Sequence, residues 1–181
     1  MPNDSITDRS PKWDDELKCW RVPLGSRVIP GLFALVDSED ISHVKLYNWT
    51  ARPVGGTVYA VRCAKKPDGK RTNIYMHRDL MPDDNAYVDH INGDGLDNRR
   101  ANLRHATHRE NLLNRGAVQG SESPYKGVSY HKLTGRWRAR IKSDGKTRYL
   151  GTHATQEEAA RAYDRAAREM FGEFAWVNFP D

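Results

Sequence analysis

The sequence is short of cysteine and of long apolar runs, and each shortage disfavours a class of protein. Its 181 residues include two cysteines, Cys19 and Cys63, which form no CxxC pair, so a zinc ribbon or a disulfide framework is not expected. The longest strictly apolar run is Leu32–Val36, far short of the ~20 residues that span a membrane. Residues 1–5 show no secretory signal. We therefore expect a reduced, intracellular protein of the cytoplasm with no membrane association.

Positive charge is in excess and is unevenly distributed along the chain. Lysine and arginine number 29 against 24 aspartates and glutamates, which gives a net charge of +5. Composition shifts predict a disordered segment at 1–19, a first domain at 20–116, a linker at 117–123 and a second domain at 124–181. Residues 20–76 read as short strands and carry no motif that assigns them a role. The composition leaves room for small cores only.

The first domain contains an unusual run of Asp, Asn, His and Arg residues. A predicted strand ends on Asp89-His90, a Gly/Asn/Asp loop follows, and a short strand at Leu103–Ala106 leads into a helix that opens with a Thr107/Glu110 capping box. Such a strand–loop–strand–helix hairpin brings Asp89 and His90 to one face of the helix, where Asn111 lies. The core of this segment spans about 86–115.

The chemistry of this cluster indicates hydrolysis of a phosphate ester. Asp and Asn oxygens suit one hard divalent cation, with Mg²⁺ preferred and Mn²⁺ an alternative. An adjacent histidine titrates near ~6.5 and can take a proton from water. Arginines surround the cluster and suit a DNA backbone, with Arg99 and Arg104 the expected contacts.

These residues resemble an HNH nuclease, the ββα-metal motif, and more narrowly the branch found in phage and intron homing endonucleases. The matching residues are His77-Arg78, Asp89-His90-Ile91-Asn92-Gly93-Asp94, Asn102-Leu103-Arg104, Thr107 and Glu110-Asn111. The resemblance implies that His90 is the general base, that Asp89 and Asn111 hold the metal, and that Asn102 bonds across the loop and orients His90. The roles of His77, His105 and His108 stay open, and His108 is an alternative phosphate contact.

The second domain carries basic residues that alternate with apolar ones. Arg136, Arg138 and Arg140 project from one face of a predicted strand, while Trp137, Ala139 and Ile141 face a predicted amphipathic helix that begins after Thr155. A sheet with a basic face and an apolar back suits the major groove of DNA.

This domain resembles the plant apetala/ethylene-response-factor DNA-binding domain, whose three-stranded sheet lies in the major groove with the helix behind it. The shared residues include Tyr125-Lys126-Gly127-Val128, Gly135-Arg136-Trp137-Arg138-Ala139, Leu150-Gly151-Thr152 and Asn178-Phe179-Pro180. Ser129, Arg140 and Tyr149 depart from the plant pattern, so the plant target sequence is not expected. The predicted DNA contacts are Lys126, His131, Arg136, Arg138, Arg140, Lys142, Arg148 and Tyr149.

The sequence thus predicts an α+β protein: a ββα-metal nuclease domain preceded by short strands, and a small three-stranded antiparallel sheet with one helix. The expected function is a monomeric, site-specific homing endonuclease, encoded by a phage or bacterium, that nicks double-stranded DNA. Two alternatives are a transcriptional regulator with an inactive nuclease module and a phage nuclease of low sequence specificity.

Overall fold

The computed structural model describes residues 9–26, 29–83, 85–114, 116–117 and 120–180, and these form two compact units that divide between Thr107 and His108. The described part of the first unit contains three small antiparallel sheets, with strand orders β1-β2-β3, β4-β5-β6 and β7-β8. The second contains one sheet of order β11-β10-β9 and a long helix. No helix in the described segments has the length and apolar character needed to cross a membrane.

The first unit consists mainly of strands of three to nine residues. Its elements are β1 (Lys12–Asp14), β2 (Cys19–Pro23), β3 (Phe33–Val36), α1 (Ile41–Val44), β4 (Thr50–Val54), β5 (Thr57–Lys65), β6 (Arg71–Tyr75), α2 (Met76–Leu80), β7 (Tyr87–His90), a 3₁₀ turn (Arg100–Asn102) and β8 (Leu103–Ala106). β8 therefore has the bounds that the sequence predicts, and β7 ends at His90 as expected.

The first strands belong to the folded unit although the sequence predicts disorder through residue 19. β1 pairs with β2 in antiparallel register, with Trp13 opposite Trp20, and the two rings pack edge to face with centroids 5.6 Å apart. Arg21 forms an ion pair with the buried Asp14 carboxylate. Aromatic packing across the turn therefore orders a segment whose composition is polar; residues 1–8 of the predicted disordered segment lie outside the described residues.

A hydrophobic core joins the first two sheets of this unit to α1 and α2. It consists of Val22, Leu24, Ala34, Val36, Val44, Trp49, Ala60, Met76 and Leu80. The Trp49 indole donates a hydrogen bond to the Val44 carbonyl (2.9 Å), so the ring's polar edge is satisfied inside this core.

The loop between β7 and β8 is held against the earlier strands. The Leu35 amide donates to the Leu96 carbonyl (2.8 Å), and the Asn98 amide donates to the Leu35 carbonyl (2.9 Å). The Arg100 guanidinium binds the buried Asp40 carboxylate at 2.8 and 3.0 Å. Residues 20–76, which the sequence left without a role, thus form the support on which this loop rests.

The second unit extends from His108 to the end of the described chain and contains the second sheet and its helix. Its elements are α3 (His108–Leu113), β9 (Val128–His131), β10 (Arg136–Ser143), β11 (Lys146–His153), α4 (Gln156–Phe171) and a 3₁₀ turn (Gly172–Phe174). α3 belongs with this unit because Arg109 donates to Asp144 (2.7 Å) and the Lys126 ammonium donates to the Leu113 carbonyl (2.7 Å). The linker at 117–123 stays a prediction, and Val118 and Gln119 of that segment lie outside the described residues.

Helix α4 covers the apolar back of the second sheet, as the alternation predicts. Thr155 caps the helix and Glu158 returns the bond, which confirms the capping box. Ala139 and Ile141 are buried against alanines of α4. Gly127 lies under Tyr163, where a Cβ would be 2.1 Å from the ring, and its φ is +77°, so only glycine fits there.

Candidate nuclease site and nucleic-acid interface

The carboxylate of Asp89 lies at the centre of the candidate nuclease site. β7 ends with Asp89 and His90, and the register places Asp89 opposite Arg104 on β8. The Arg104 guanidinium donates to Asp89 Oδ2 through Nε (3.0 Å) and Nη2 (2.8 Å). Both side chains are nearly buried, so the negative charge is held beside a fixed cation in a region of low dielectric.

His90 is buried beside this carboxylate and is 5% exposed. Its Nε2 lies 3.4 Å from Oδ1 of Asn98, a residue in the loop before β8 that is fully buried. Burial lowers the pKa of His90 below its usual value, although the Asn98 hydrogen bond and the Asp89 charge oppose the shift. The imidazole is therefore neutral at neutral pH, as a general base must be.

A tyrosine ring and a second histidine pack against His90. His77, from α2, meets His90 edge to face with ring centroids 4.7 Å apart, and Tyr59 from β5 lies 5.6 Å from His77 and 5.8 Å from His90. Burial, aided by the neighbouring His90, lowers the pKa of His77 to about 3. His77 is thus a neutral packing partner of the candidate base.

Asn102 connects the two ends of the loop, as the HNH resemblance implies. Its side chain accepts from the Asn92 amide (3.0 Å) and donates to the Asn92 side chain (3.0 Å) and to the Asp97 carbonyl (2.8 Å). The side chain bonded to the His90 ring is instead Asn98, so any effect of Asn102 on His90 passes through the loop.

Arg99 and Arg104, both expected to contact DNA, form ion pairs within the fold. Arg99 binds Asp97 through Nε (2.8 Å) and Nη2 (2.7 Å). Burial favours a raised pKa for Asp97, but the Arg99 bonds and charge outweigh it and the pKa lies below its usual value. Arg104 is committed to Asp89 in the same way. The acidic side chains and these two arginines neutralise one another. Arg99 and Arg104 therefore hold residues of the site in place, and their contact with DNA stays a prediction.

The two predicted metal ligands belong to different units. Asp89 belongs to the first unit, whereas the half-buried Asn111 lies on α3 in the second. Within the described ranges, no three His, Cys, Asp or Glu side chains cluster to hold a metal. A buried carboxylate is nevertheless a hard oxygen donor, and a divalent cation commonly completes its coordination with an amide oxygen, phosphate and water. The chemistry of the donor set therefore fits the expected cation, and the ββα-metal arrangement remains a prediction.

The second unit presents the basic face that alternation predicts. Direct pairing places Arg136 opposite His131, Arg138 opposite Ser129, and Arg140 opposite Tyr149, all on the side away from α4. We call this surface the basic face; its members are His131, Arg136, Arg138, Arg140, Lys142 and Tyr149. Arg138 donates to His131 Nε2 (2.6 Å), and Arg140 donates to Ser129 (3.2 Å), so the guanidinium groups are held over the sheet.

Two predicted DNA contacts lie elsewhere. Arg148 pairs with the buried Ile141, so its side chain leaves the sheet on the helix side rather than on the basic face. Lys126 is half-buried, donates to the Leu113 carbonyl, and lies 6.0 Å from the centre of the Tyr163 ring. Local charge alone does not include strand register or the packing of residue 126, so it did not place these two side chains, and their contact with DNA stays a prediction.

The hairpin of the first unit has the features of a nuclease motif, and the basic sheet of the second unit has those of a DNA-binding domain. Comparisons with known proteins support both assignments. A family model described as HNH endonuclease matches residues 77–113, and one described as AP2 domain matches residues 123–173. An uncharacterized HNH endonuclease of Acanthamoeba polyphaga mimivirus is 37% identical over 151 residues, which cover 82% of this chain and 75% of that protein. The chain belongs to the HNH endonuclease family and carries a C-terminal AP2 domain.

Plant proteins match the second unit only. An AP2-like ethylene-responsive transcription factor of Oryza sativa subsp. japonica is 45% identical over 83 residues, or 45% of this chain and 12% of that protein. A second such factor, from Arabidopsis thaliana, is 45% identical over 65 residues, or 36% of this chain and 13% of its own length. The chain thus spans about an eighth of these relatives, and the similarity concerns the DNA-binding domain.

Sequence reasoning missed two residues near His90, Asn98 and Tyr59. Asn98 had no distinguishing signal within an Asn/Asp-rich loop, although it is fully buried. Tyr59 lies in the strand region to which the sequence assigned no role. The sequence left the role of His77 open, and its contact with His90 depends on the approach of α2 to β7, which sequence spacing does not show.

Proposed function

We propose that this protein is a metal-dependent DNA endonuclease that hydrolyses phosphodiester bonds in duplex DNA, and that the AP2 domain directs it to particular sites. The observation that carries the proposal is the neutral, buried His90 next to the buried carboxylate of Asp89 in a hairpin of the HNH family. A neutral imidazole activates water, and a fixed carboxylate suits a cation that faces a phosphate.

The proposed division of labour follows from the residues of each unit. His90 takes a proton from a water molecule, whose oxygen forms a bond to phosphorus as one phosphodiester P–O bond breaks. Asp89 and Asn111 would hold one divalent cation, Mg²⁺ or Mn²⁺, which supplies charge neutralisation at the phosphate. Asn102 keeps the loop closed, and the basic face binds the duplex. A single such site cuts one strand per event, so we propose a monomer that nicks DNA in the manner of homing endonucleases.

A supercoiled-plasmid assay tests this proposal. Wild-type protein with Mg²⁺ or Mn²⁺ should convert supercoiled plasmid carrying source-genome DNA to open circles, and a chelator should stop the reaction. His90→Ala should lower the rate by about 10²–10⁴-fold while DNA binding stays unchanged. His43→Ala is a matched control, since His43 belongs to the same unit but is partly exposed and paired with Asp79. Equal cleavage by wild type and His90→Ala would refute the role of His90.

The same assay separates the two alternatives. Discrete nick positions support a site-specific enzyme, whereas a smear of products indicates a nuclease of low specificity. Binding without cleavage under either metal would instead favour a transcriptional regulator with an inactive nuclease module, as the similarity of the second unit to plant transcription factors suggests.

A further inference from the structure

Helix α4 carries three arginines on the side that faces away from the second sheet. Arg161, Arg165 and Arg168 are exposed, whereas the alanines of the same helix are buried. Spacings of four and three residues place the arginines on one face of the helix, within about 10 Å along its axis. The outer face of α4 is therefore a row of positive charge.

These arginines line a groove between α4 and the end of the chain. Its volume is about 240 Å³, and the other lining residues are Asp164, Phe179 and Pro180. Pockets that enclose drug-sized ligands measure about 300–1,000 Å³, so this smaller groove suits a single charged group such as a phosphate.

Two of the guanidinium groups are held in place by Phe179. Arg161 lies over the Phe179 ring, 4.8 Å from its centre, and Arg168 donates a hydrogen bond to the Phe179 carbonyl (3.1 Å). Within the part of the chain that the structure describes, neither Arg161 nor Arg165 forms an ion pair with an acidic side chain. Their charges are thus available to an anion from outside.

The acidic residue of the groove does not cancel this charge. Asp164 is 2% exposed, and its Oδ1 accepts from the Asn178 amide (2.8 Å) and side chain (3.0 Å). Its Oδ2 accepts from the Phe179 amide (3.0 Å). These N–H donors offset the carboxylate, which holds the C-terminal segment against α4, so the groove keeps an excess of positive charge.

We propose that the α4 groove binds backbone phosphates of a second duplex DNA segment, so that one protein bridges two duplexes. Duplex DNA carries one negative charge per about 1.7 Å of its axis, and guanidinium groups match phosphate oxygens in pairs. The Phe179 ring is covered by Arg161 and packs against Tyr125, which favours the DNA backbone over a stacked base. The basic face lies on the opposite side of the sheet from α4, so both surfaces can be occupied together. The proposal goes beyond the nuclease function and requires no cleavage.

A capture experiment with the full chain tests this bridging. In EDTA, which prevents metal-dependent cleavage, wild-type protein bound to a bead-linked duplex should retain a fluorescent second duplex. Arg165→Glu should retain at least about tenfold less, as expected for the loss of a charged hydrogen bond. Arg165→Lys keeps the charge and should retain most of the second duplex. Mass photometry should find one protein per two duplexes.

Controls separate the groove from general charge and from the basic face. Lys45→Gln combined with Arg52→Gln removes the same net charge from exposed positions of the first unit and should leave capture unchanged. Anisotropy should show that Arg165→Glu binds a single duplex as tightly as wild type does. With the basic face weakened by Arg138→Ala and Arg140→Ala, Arg165→Glu should further reduce the salt slope of residual binding by about 0.9.

Three results would overturn the proposal. They are equal capture by wild type and Arg165→Glu, two proteins per pair of duplexes, and a residual salt slope that Arg165→Glu leaves unchanged. Polyglutamate is the competitor that represents an acidic protein partner. If wild type bound polyglutamate through Arg165 but captured no second duplex, the groove would belong to such a partner instead. Cleavage is measured in neither arm, so a failure of the plasmid assay does not affect these outcomes.

Discussion

Arg104 and Asp89 face each other across the β7–β8 hairpin, and two guanidinium nitrogens donate to a single carboxylate oxygen at 3.0 and 2.8 Å. The Arg104 side chain is 11% exposed and that of Asp89 is 7% exposed. A buried guanidinium therefore lies directly against the carboxylate that we propose as a metal ligand. The pair fixes the position of Asp89 before any cation binds.

Removal of the Arg104 guanidinium should destabilise the first unit. Arg104→Gln takes the guanidinium charge away from a buried carboxylate, and we expect a loss of about 3–5 kcal/mol in the free energy of unfolding. Urea denaturation followed by tryptophan fluorescence measures the change. Lys70→Gln is the control, because its pair with Asp68 is exposed and should contribute little. Equal small losses in both variants would show that the Asp89 pair is not buried in solution.

Strand register makes a prediction about DNA binding that charge alone does not. Arg138→Ala combined with Arg140→Ala should weaken binding and reduce the slope of log K against log salt by about 0.9 for each phosphate that is no longer neutralised. Arg148→Ala removes the same charge from the helix side of the sheet and should leave the slope nearly unchanged. Fluorescence anisotropy with duplex DNA over a salt series measures the slope for both variants. An equally reduced slope in Arg148→Ala would indicate that DNA contacts the helix side of the sheet.

Lys126 gives the second unit a pH-dependent stability. Burial lowers the pKa of its ammonium from the usual 10.5 to about 8. In the unfolded chain the group keeps its usual pKa, so between these values the unfolded state binds more protons and stability rises with pH. Below pH 8 both states are protonated and the dependence disappears.

A pH series of unfolding experiments tests this effect. The free energy of unfolding should rise from about pH 8 to about pH 10, and Lys126→Met should remove the rise. The series stops near pH 10 because burial raises the pKa of Tyr163, whose ionisation in the unfolded chain opposes the effect at higher pH. A rise of the same size in Lys126→Met would assign it to another group.

The loop that carries Asn98 should tolerate no side chain at Gly95. A Cβ there would lie 2.5 Å from the Val58 carbonyl oxygen and 2.6 Å from the Tyr59 ring, so Gly95→Ala must push the loop away from β5. We expect loss of stability and of cleavage together, measured by thermal unfolding and the plasmid assay. Gly25→Ala is the control, since its Cβ would make ordinary contacts at 3.5 Å or more. Unchanged behaviour of Gly95→Ala would mean that the loop is not packed on β5.

Local pattern predicts much of this structure because its signals act over a few residues. β8 has the predicted bounds, β7 ends at His90 and α3 begins after Thr107 as expected, and the Thr155 capping box opens α4. Alternation along β10 correctly separates Arg138 and Arg140 from Ala139. Each of these signals depends on residue spacing of two to four positions.

Interactions between distant segments account for what the sequence did not predict. The backbone amide of the buried Asn98 donates a hydrogen bond to the carbonyl of Leu35, which is distant in the sequence. Arg148 lies on the helix side because the pairing of β10 with β11 puts it opposite Ile141. The contact of α3 with the turn after β10 depends on Arg109, which donates to Asp144. Residue type alone carries no information about such partners.

The support of the β7–β8 loop by β3 and β5 has a consequence for domain grafting. A fragment limited to the family-matched residues 77–113 would leave behind Leu35 and Asp40, which anchor the loop, and Tyr59, which packs against His90. Such a fragment would keep the sequence motif but lose the residues of β3 and β5 against which the loop packs. The smallest portable nuclease cassette of this protein therefore has to include β3 through α2.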